Sequence, residues 1–403
     1  MKQAVFQPAD ILVPHTADMA DWSVIACDQF TAERAYWDRV TERVRGKLST
    51  LHMVLPEAYL ADRPVQDVAL EKNEIMEHYL AGGIFDVLRD SFVYVERRVS
   101  GGVRHGLVGK LDLEAYDYAP ERRSPVRASE RTVEERLPPR VTIRAGAPLE
   151  MPHVMVLIDD PAKSVVEPLR RRAAKLPRLY DFDLMEDGGH IAGYAVSGAE
   201  AERVAAALAS LADREIQMIV GDGNHSLAAA KECWNLKKRG LTEAEQQSDP
   251  ARYALVEVVN VYDEGVRFEP IHRAVWCADE EKLMECFREK LASPSGRYRV
   301  TCVHGGREET LTVRGRTFGA MMAGVQEFVT EYVAMNDGVV DYIHDDASAR
   351  RMAQEGAAVF LLPVMDKADF FSTVAANGIF PEKSFSIGHA RDKRYYLECR
   401  QIR

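Results

Sequence analysis

Residues 215–231 read Glu-Ile-Gln-Met-Ile-Val-Gly-Asp-Gly-Asn-His-Ser-Leu-Ala-Ala-Ala-Lys, and this block limits the possible folds more than any other stretch. The apolar run ending at Val220 predicts a strand, and Leu227 to Lys231 are good helix formers directly after a polar turn. Gly221 and Gly223 permit backbone angles that a side chain resists, and Ser226 is placed to cap the helix. The N–H groups at that helix start, Asn224 included, would face a phosphate or carboxylate seated above the turn. Asp222 and His225 at such a place suit magnesium coordination or proton movement. The same residues also fit a plain strand-to-helix connection, with His225 satisfied by a neighbouring carbonyl. The functional reading makes the block the centre of a nucleotide site.

The rest of the composition narrows the class. A chain of 403 residues, 46% apolar and 29% charged, has room for two domains or one large core. Its net charge of -11 argues against broad nucleic-acid binding, which needs a basic face. Arg170-Arg171-Arg172 and Lys237-Lys238-Arg239 are basic runs late in helical patterns, where they suit helix C-termini better than RNA. No run approaches the roughly 20 apolar residues that span a bilayer. Met1 to Phe6 lacks the features of a signal peptide, so no membrane and a cytoplasmic location are expected. The six cysteines contain no Cys-x-x-Cys pair, which fits reduced thiols and no zinc ribbon.

Along the chain, Phe6 to Pro14 reads as extended, Trp22 to Cys27 as a strand, and Thr31 to Leu48 as an amphipathic helix capped by Thr31. Val68 to Gly82 predicts a helix, and Ser91 to Arg97 with Arg104 to Asp112 a hairpin. Asp117 to Pro139, dense in Arg, Glu and Pro, is either a solvated linker or a binding loop. Val154 to Ile158 predicts a strand ending at Asp159-Asp160, which would hold a cation or act as turn formers and caps. Ala199 to Asp213 is an amphipathic helix, and Arg252 to Val261 with Val266 to Ile271 predicts a hairpin turned by Asp263-Glu264-Gly265. Asp187-Gly188-Gly189-His190 and His344-Asp345-Asp346 read as polar turns rather than sites. The Gly-x-Ser-x-Gly, His-Glu-x-x-His and Walker lysine motifs are absent.

Several blocks resemble one family in order. Asp222 to Ser226 is similar to the Asp-Gly-x-His-Arg signature of the DUF1015 family, related to the ParB/sulfiredoxin-like group that includes archaeal free-serine kinases. Val24 to Phe30, with Cys27-Asp28, matches the place of a family Tyr-Asp. Arg127 to Thr132, with Glu130 and Thr132, resembles its Glu-x-Thr element and is followed by Leu137-Pro138-Pro139-Arg140. Pro270-Ile271-His272-Arg273 fits a His-Arg element, and Phe380 to Phe385 a Pro-x-Lys-Ser segment. The usual arginine after the histidine is Ser226 here, so another basic residue has to supply that charge. Sulfiredoxins carry their cysteine in the phosphate loop; this loop has none, so that activity is not expected.

The resemblance implies an α+β fold, with mixed sheets, flanking helices and a ParB/sulfiredoxin-like nucleotide-site domain carrying elaborations. The expected division is an N-terminal lobe over 1–140, the signature domain over 141–275 and a C-terminal region over 276–403. It further implies a nucleotide-dependent phosphotransferase for a small hydroxylated metabolite such as free serine, using ATP or ADP with Mg2+. In that scheme Gly221, Gly223, Asn224 and Ser226 cradle phosphate, Asp222 holds magnesium and His225 contacts phosphate or transfers a proton. Arg140, His272, Arg273 and Lys383 would counter charge, with Glu33 as the acceptor's base. The alternatives are a nucleotide-binding switch without turnover and a metal-dependent hydrolase using Asp159, Asp160, Asp222 and His225. The oligomeric state is left open.

Overall fold

The computed structural model describes residues 4–403, so the reading of Met1 to Phe6 lies partly outside it. The fold is α+β, with mixed sheets flanked by helices. Contacts divide the chain into two units rather than the three expected. The first takes the chain to Ala128, Thr132–Val266 and Gly388–Arg403; the second takes Ser129–Arg131 and Arg267–Ile387. Composition near 140 and 275 did not show this, because the division follows long-range strand pairing. In the first unit Tyr395–Tyr396 pairs with Val24–Ile25, and Arg400–Gln401 with Leu149–Glu150.

The first unit is built on one large sheet. Its main path runs Arg178–Asp183, His190–Val196, Phe85–Val99, Gly102–Asp112, Tyr253–Asn260, Met155–Ile158, Met218–Asp222, Val126–Ala128, Tyr116–Asp117. The expected hairpin across residues 100–102 is present, with Arg97 opposite Arg104 and Val99 opposite Gly102. Tyr253–Asn260 is buried along its whole length, as its nearly continuous apolar pattern requires of a central strand. Alternate side chains of the sheet feed opposite faces. Val156, Ile158, Val220 and Val258 pack with Leu227 and Trp234, while Val93, Val95, Val108 and Leu255 pack with Trp37 and Val40.

Local differences from expectation have local causes. Asp18 caps a short helix over Met19–Trp22, which shortens the expected strand to Val24–Ile25. The next helix covers Arg34–Arg43, with Glu33 rather than Thr31 at its cap position and no side-chain cap bond. Val65–Ala81 ends at Gly82 as its glycine pair predicts.

The second unit contains an antiparallel sheet in the order Arg307–Val313, Tyr298–His304, Ala358–Leu361, His272–Trp276, Val339–Ile343. Phe287 and Phe328, from the helices Glu280–Leu291 and Phe318–Met335, pack on Phe360 of that sheet. The expected hairpin across Asp263-Glu264-Gly265 does not form. Phe268–Pro270 pairs instead with Phe385–Ile387. The turn is held in the first unit, where the Asp263 carboxylate accepts from Gly265 N–H and bonds the buried His105 ring. No helix among the described residues is long and apolar enough to cross a membrane.

Candidate nucleotide site

The signature strand Met218–Asp222 runs inside the sheet between Met155–Ile158 and Val126–Ala128. Its register shifts between Val220 and Asp222, so Gly221 occupies a bulge that re-aims the strand's end. Gly223 then takes left-handed angles, φ 82° and ψ 28°, and the helix Asn224–Lys237 begins at once. A Cβ on Gly223 would lie 3.1 Å from the Val154 Cα, so glycine is needed for both conformation and space. Gly223 is itself the cap position, and no side chain caps the helix. Ser226, expected as the cap, is the third helical residue, because the glycine lets the helix start earlier. Leu227 N–H bonds the Gly223 carbonyl at 3.1 Å, and the preceding turn of N–H groups presents its partial positive charge outward.

Charged and polar side chains gather around this turn within the first unit. The Lys393 ammonium lies 3.2 Å from the Asp222 carboxylate. The His225 Nε2 accepts the Val133 N–H at 3.1 Å, which places the proton of the neutral ring on Nδ1. Asp28 accepts from the Gln29 amide at 3.0 Å and faces the His153 Nε2 at 3.9 Å. The other His153 nitrogen meets the Tyr396 hydroxyl at 2.9 Å, and that hydroxyl lies 3.0 Å from Cys27 Sγ. Arg140 pairs with Glu57. Burial pushes Asp28 up, but His153, Gln29, Lys393 and Arg140 together hold its carboxyl below the usual range. Burial and the neighbouring Asp28 carry the Cys27 thiol up to about 12, which keeps it a thiol and disfavours sulfur nucleophilic chemistry.

The arrangement is a fixed turn with a positive helix end, one carboxylate at its lip, a second facing it, and two basic side chains near by. A family model for proteins of unknown function, DUF1015, matches residues 7–354. The chain belongs to the DUF1015 family. No curated protein matches it significantly. Among solved structures, this DUF1015 chain is similar to a free serine kinase in complex with AMP, at 12% identity over 73% of this chain and 90% of that one, TM-score 0.37. A conserved hypothetical protein from Pyrococcus furiosus matches at 12% identity over 72% and 90%, TM-score 0.33. SbnI with a C-terminal truncation, from Staphylococcus aureus, matches at 9% identity over 70% and 82%, TM-score 0.37.

Other residues expected at the site of the DUF1015 chain have different surroundings. Glu33 is exposed at the helix start, whereas Asp28 is the carboxylate whose charge reaches His225. Thr132 is buried in the first unit with its hydroxyl unbonded, and Glu130 bridges Phe380 in the second. Arg273 is buried within the second unit, where it donates to Gln326 and to the Ile271 and Lys383 carbonyls and stacks on Tyr342. His272 bonds Asp346 at 2.8 Å and accepts the Leu362 N–H, and Lys383 is exposed with φ 59°. These three belong to the second unit's own framework.

The four-residue hydrolase set does not assemble. Met155–Ile158 runs antiparallel to the signature strand, with Met155 opposite Asp222, so Asp159 follows the far end roughly 13 Å along the sheet. There Asp159 pairs with Arg214, and Asp160 accepts the Ser164 and Val165 N–H groups as a turn cap. No group of three potential metal ligands occurs among the described residues.

Lys393 and His153 carry no sequence signal of their own. Each lies far from the signature in the chain and becomes visible only when the strands are paired.

Burial, with Arg140 and Arg136, lowers the His225 pKa below its usual 6.5. Its contribution to stability is thus complete above about pH 6.5 and lost as the pH falls, because the unfolded chain takes the proton first. Melting temperature measured from pH 7.5 to 5 should fall more steeply for wild type than for His225→Gln. Parallel curves would contradict a neutral, half-buried ring.

Proposed function

We propose that this chain is a nucleotide-dependent phosphotransferase acting on a small hydroxylated metabolite, with free serine the first acceptor to test. The observation that carries the reading is the left-handed Gly223 turn, opening an uncapped helix between Asp222 and His225. Phosphoryl transfer needs phosphate cradling, charge neutralisation and a group that orients the acceptor, rather than elaborate covalent machinery. The N–H groups of the first helical turn cradle phosphate oxygens, and the His225 Nδ1–H adds a side-chain donor. ATP or ADP would supply the phosphoryl group. Magnesium fits Asp222, a hard oxygen donor at the turn, since that ion is commonly held by one or two carboxylates plus phosphate oxygens; it would neutralise phosphate charge there. Asp28, kept ionised by its neighbours, receives the acceptor's hydroxyl proton. The acceptor oxygen bonds to phosphorus as the bond to the leaving phosphate breaks.

Calorimetric titration with ATP, ADP and CTP, each with and without magnesium, tests the binding step. Wild type should bind one of them, and His225→Ala should bind it at least about tenfold more weakly. With serine and other small alcohols added, Asp222→Ala should lose at least about 100-fold in phosphorylated product. Tight binding with no transfer to any acceptor would instead identify a nucleotide switch. Failure to bind any of the three would remove the nucleotide reading.

A further inference from the structure

We propose that Lys393 is the phosphate-binding cation of this site, held ready by a strap over residues 388–394. The inference rests on the phosphotransferase reading and adds a residue that the signature does not contain. The Lys393 side chain is only 13% exposed, yet among the described residues its ammonium pairs only with the Asp222 carboxylate, at 3.2 Å. An ammonium buried to that degree is costly unless more of its three donors are used. A phosphate oxygen above the turn would supply the missing acceptor. Lys393 also acts on Asp28, so the cation lies within electrostatic range of both carboxylates of the site.

The backbone on each side of Lys393 is immobilised by buried groups. On one side, Asp392 accepts from Ser100 N–H at 2.8 Å and His389 N–H at 3.1 Å, and also from the Ser100 hydroxyl. The buried Arg97 and Arg104 donate to the Arg391 and Asp392 carbonyls, each at 3.0 Å. On the other side, the Arg394 carbonyl accepts Ala26 N–H at 3.0 Å, while its guanidinium pairs with Glu257 and Glu398. Arg97 and Arg104 are opposed in the hairpin register, a like-charge pairing, and each commits one terminal nitrogen to a strap carbonyl. Their shared target is the strap that presents Lys393. A long, flexible lysine is thereby given a fixed base, which limits the entropy it loses when it engages an anion.

The test measures the affinity of ADP and of inorganic pyrophosphate, both with magnesium, for wild type, Lys393→Gln, Lys393→Met and Lys393→Arg. The glutamine and methionine variants should bind both ligands about 10- to 100-fold more weakly, at unchanged melting temperature, and arginine should retain most of the affinity. Adding Asp222→Asn to Lys393→Gln should not restore pyrophosphate binding measured without magnesium, where Asp222 has no ion to hold. Recovery in that double variant would make Lys393 only the counter-ion of Asp222 and overturn the proposal, as would wild-type affinity in both neutral variants. If wild type binds pyrophosphate but no nucleotide, the phosphotransferase reading falls, while loss of pyrophosphate in Lys393→Gln still upholds the cation's role. If wild type binds neither ligand, both fall.

Discussion

Replacing Arg394 with leucine should destabilise the first unit by about 3–5 kcal/mol, the range found when one partner of a buried ion pair is removed. The Arg394 side chain is 3% exposed, and its partners Glu257 and Glu398 are 1% and 0% exposed. It also donates from Nε to the Pro152 carbonyl at 3.1 Å. Leucine would leave two carboxylates in the interior without their main countercharge, and Arg104, whose Nε is 3.9 Å from Glu257, compensates only in part. Burial raises the Glu257 carboxyl, but Arg394 and Arg104 outweigh it and hold the pKa below 4.5. In wild type that stabilisation is present above about pH 4.5 and lost as the pH falls toward the folded value. In the variant the deficit should be largest near neutral pH and shrink as the pH falls, because burial without Arg394 favours the protonated Glu257 and proton uptake by the folded state relieves the uncompensated charge. Urea midpoints between pH 4 and 8 read both effects. A loss under about 1 kcal/mol at pH 7 would show that burial of the pair is relieved by water or by rearrangement.

The second large effect should come from Gly223→Ala. Left-handed angles cost a residue bearing Cβ roughly 1–2 kcal/mol, and here the added methyl also meets the Val154 Cα and Cγ2 at 3.1 Å. Val154 cannot easily retreat, since its carbonyl accepts Glu257 N–H at 3.0 Å from the central strand. The turn must therefore shift, and the first helical N–H groups move with it. Nucleotide affinity should fall by at least about 100-fold, a displacement of donors rather than their removal. Gly46→Ala is the control: Gly46 has φ 70° with nothing within 4 Å of its would-be Cβ, so it carries the backbone strain alone. Both variants should lose comparable stability from strain, but only Gly223→Ala should lose binding. Wild-type affinity in Gly223→Ala would mean that the turn's geometry is not what holds the ligand.

The strand, turn and helix of residues 218–237 were legible because each part is encoded by neighbours in the chain. An apolar run makes the strand, a glycine without Cβ makes the left-handed turn, and alanines and leucine carry the helix. The hairpin of Phe85–Val99 and Gly102–Asp112 and the helix ending at Gly82 were readable for the same reason. Ser226 was misplaced as a cap by three residues, since helix onset depends on which residue actually leaves the helical region, a matter of one dihedral pair. The apparent hairpin over 252–271 failed because its two strands have the right pattern but better partners elsewhere, in Gly102–Asp112 and Phe385–Ile387.

By itself, then, the sequence determined the α+β class and the signature turn that holds Asp222, Gly223 and His225. Tertiary structure alone decided what surrounds that turn. Strand order brings Asp28, His153, Arg140 and Lys393 to it, and sends Asp159 to the other end of the sheet. The physical reason is range: dihedral preference and side-chain periodicity act over a few residues. The pairing of strands hundreds of residues apart is chosen by burial of the whole sheet, which no local pattern records.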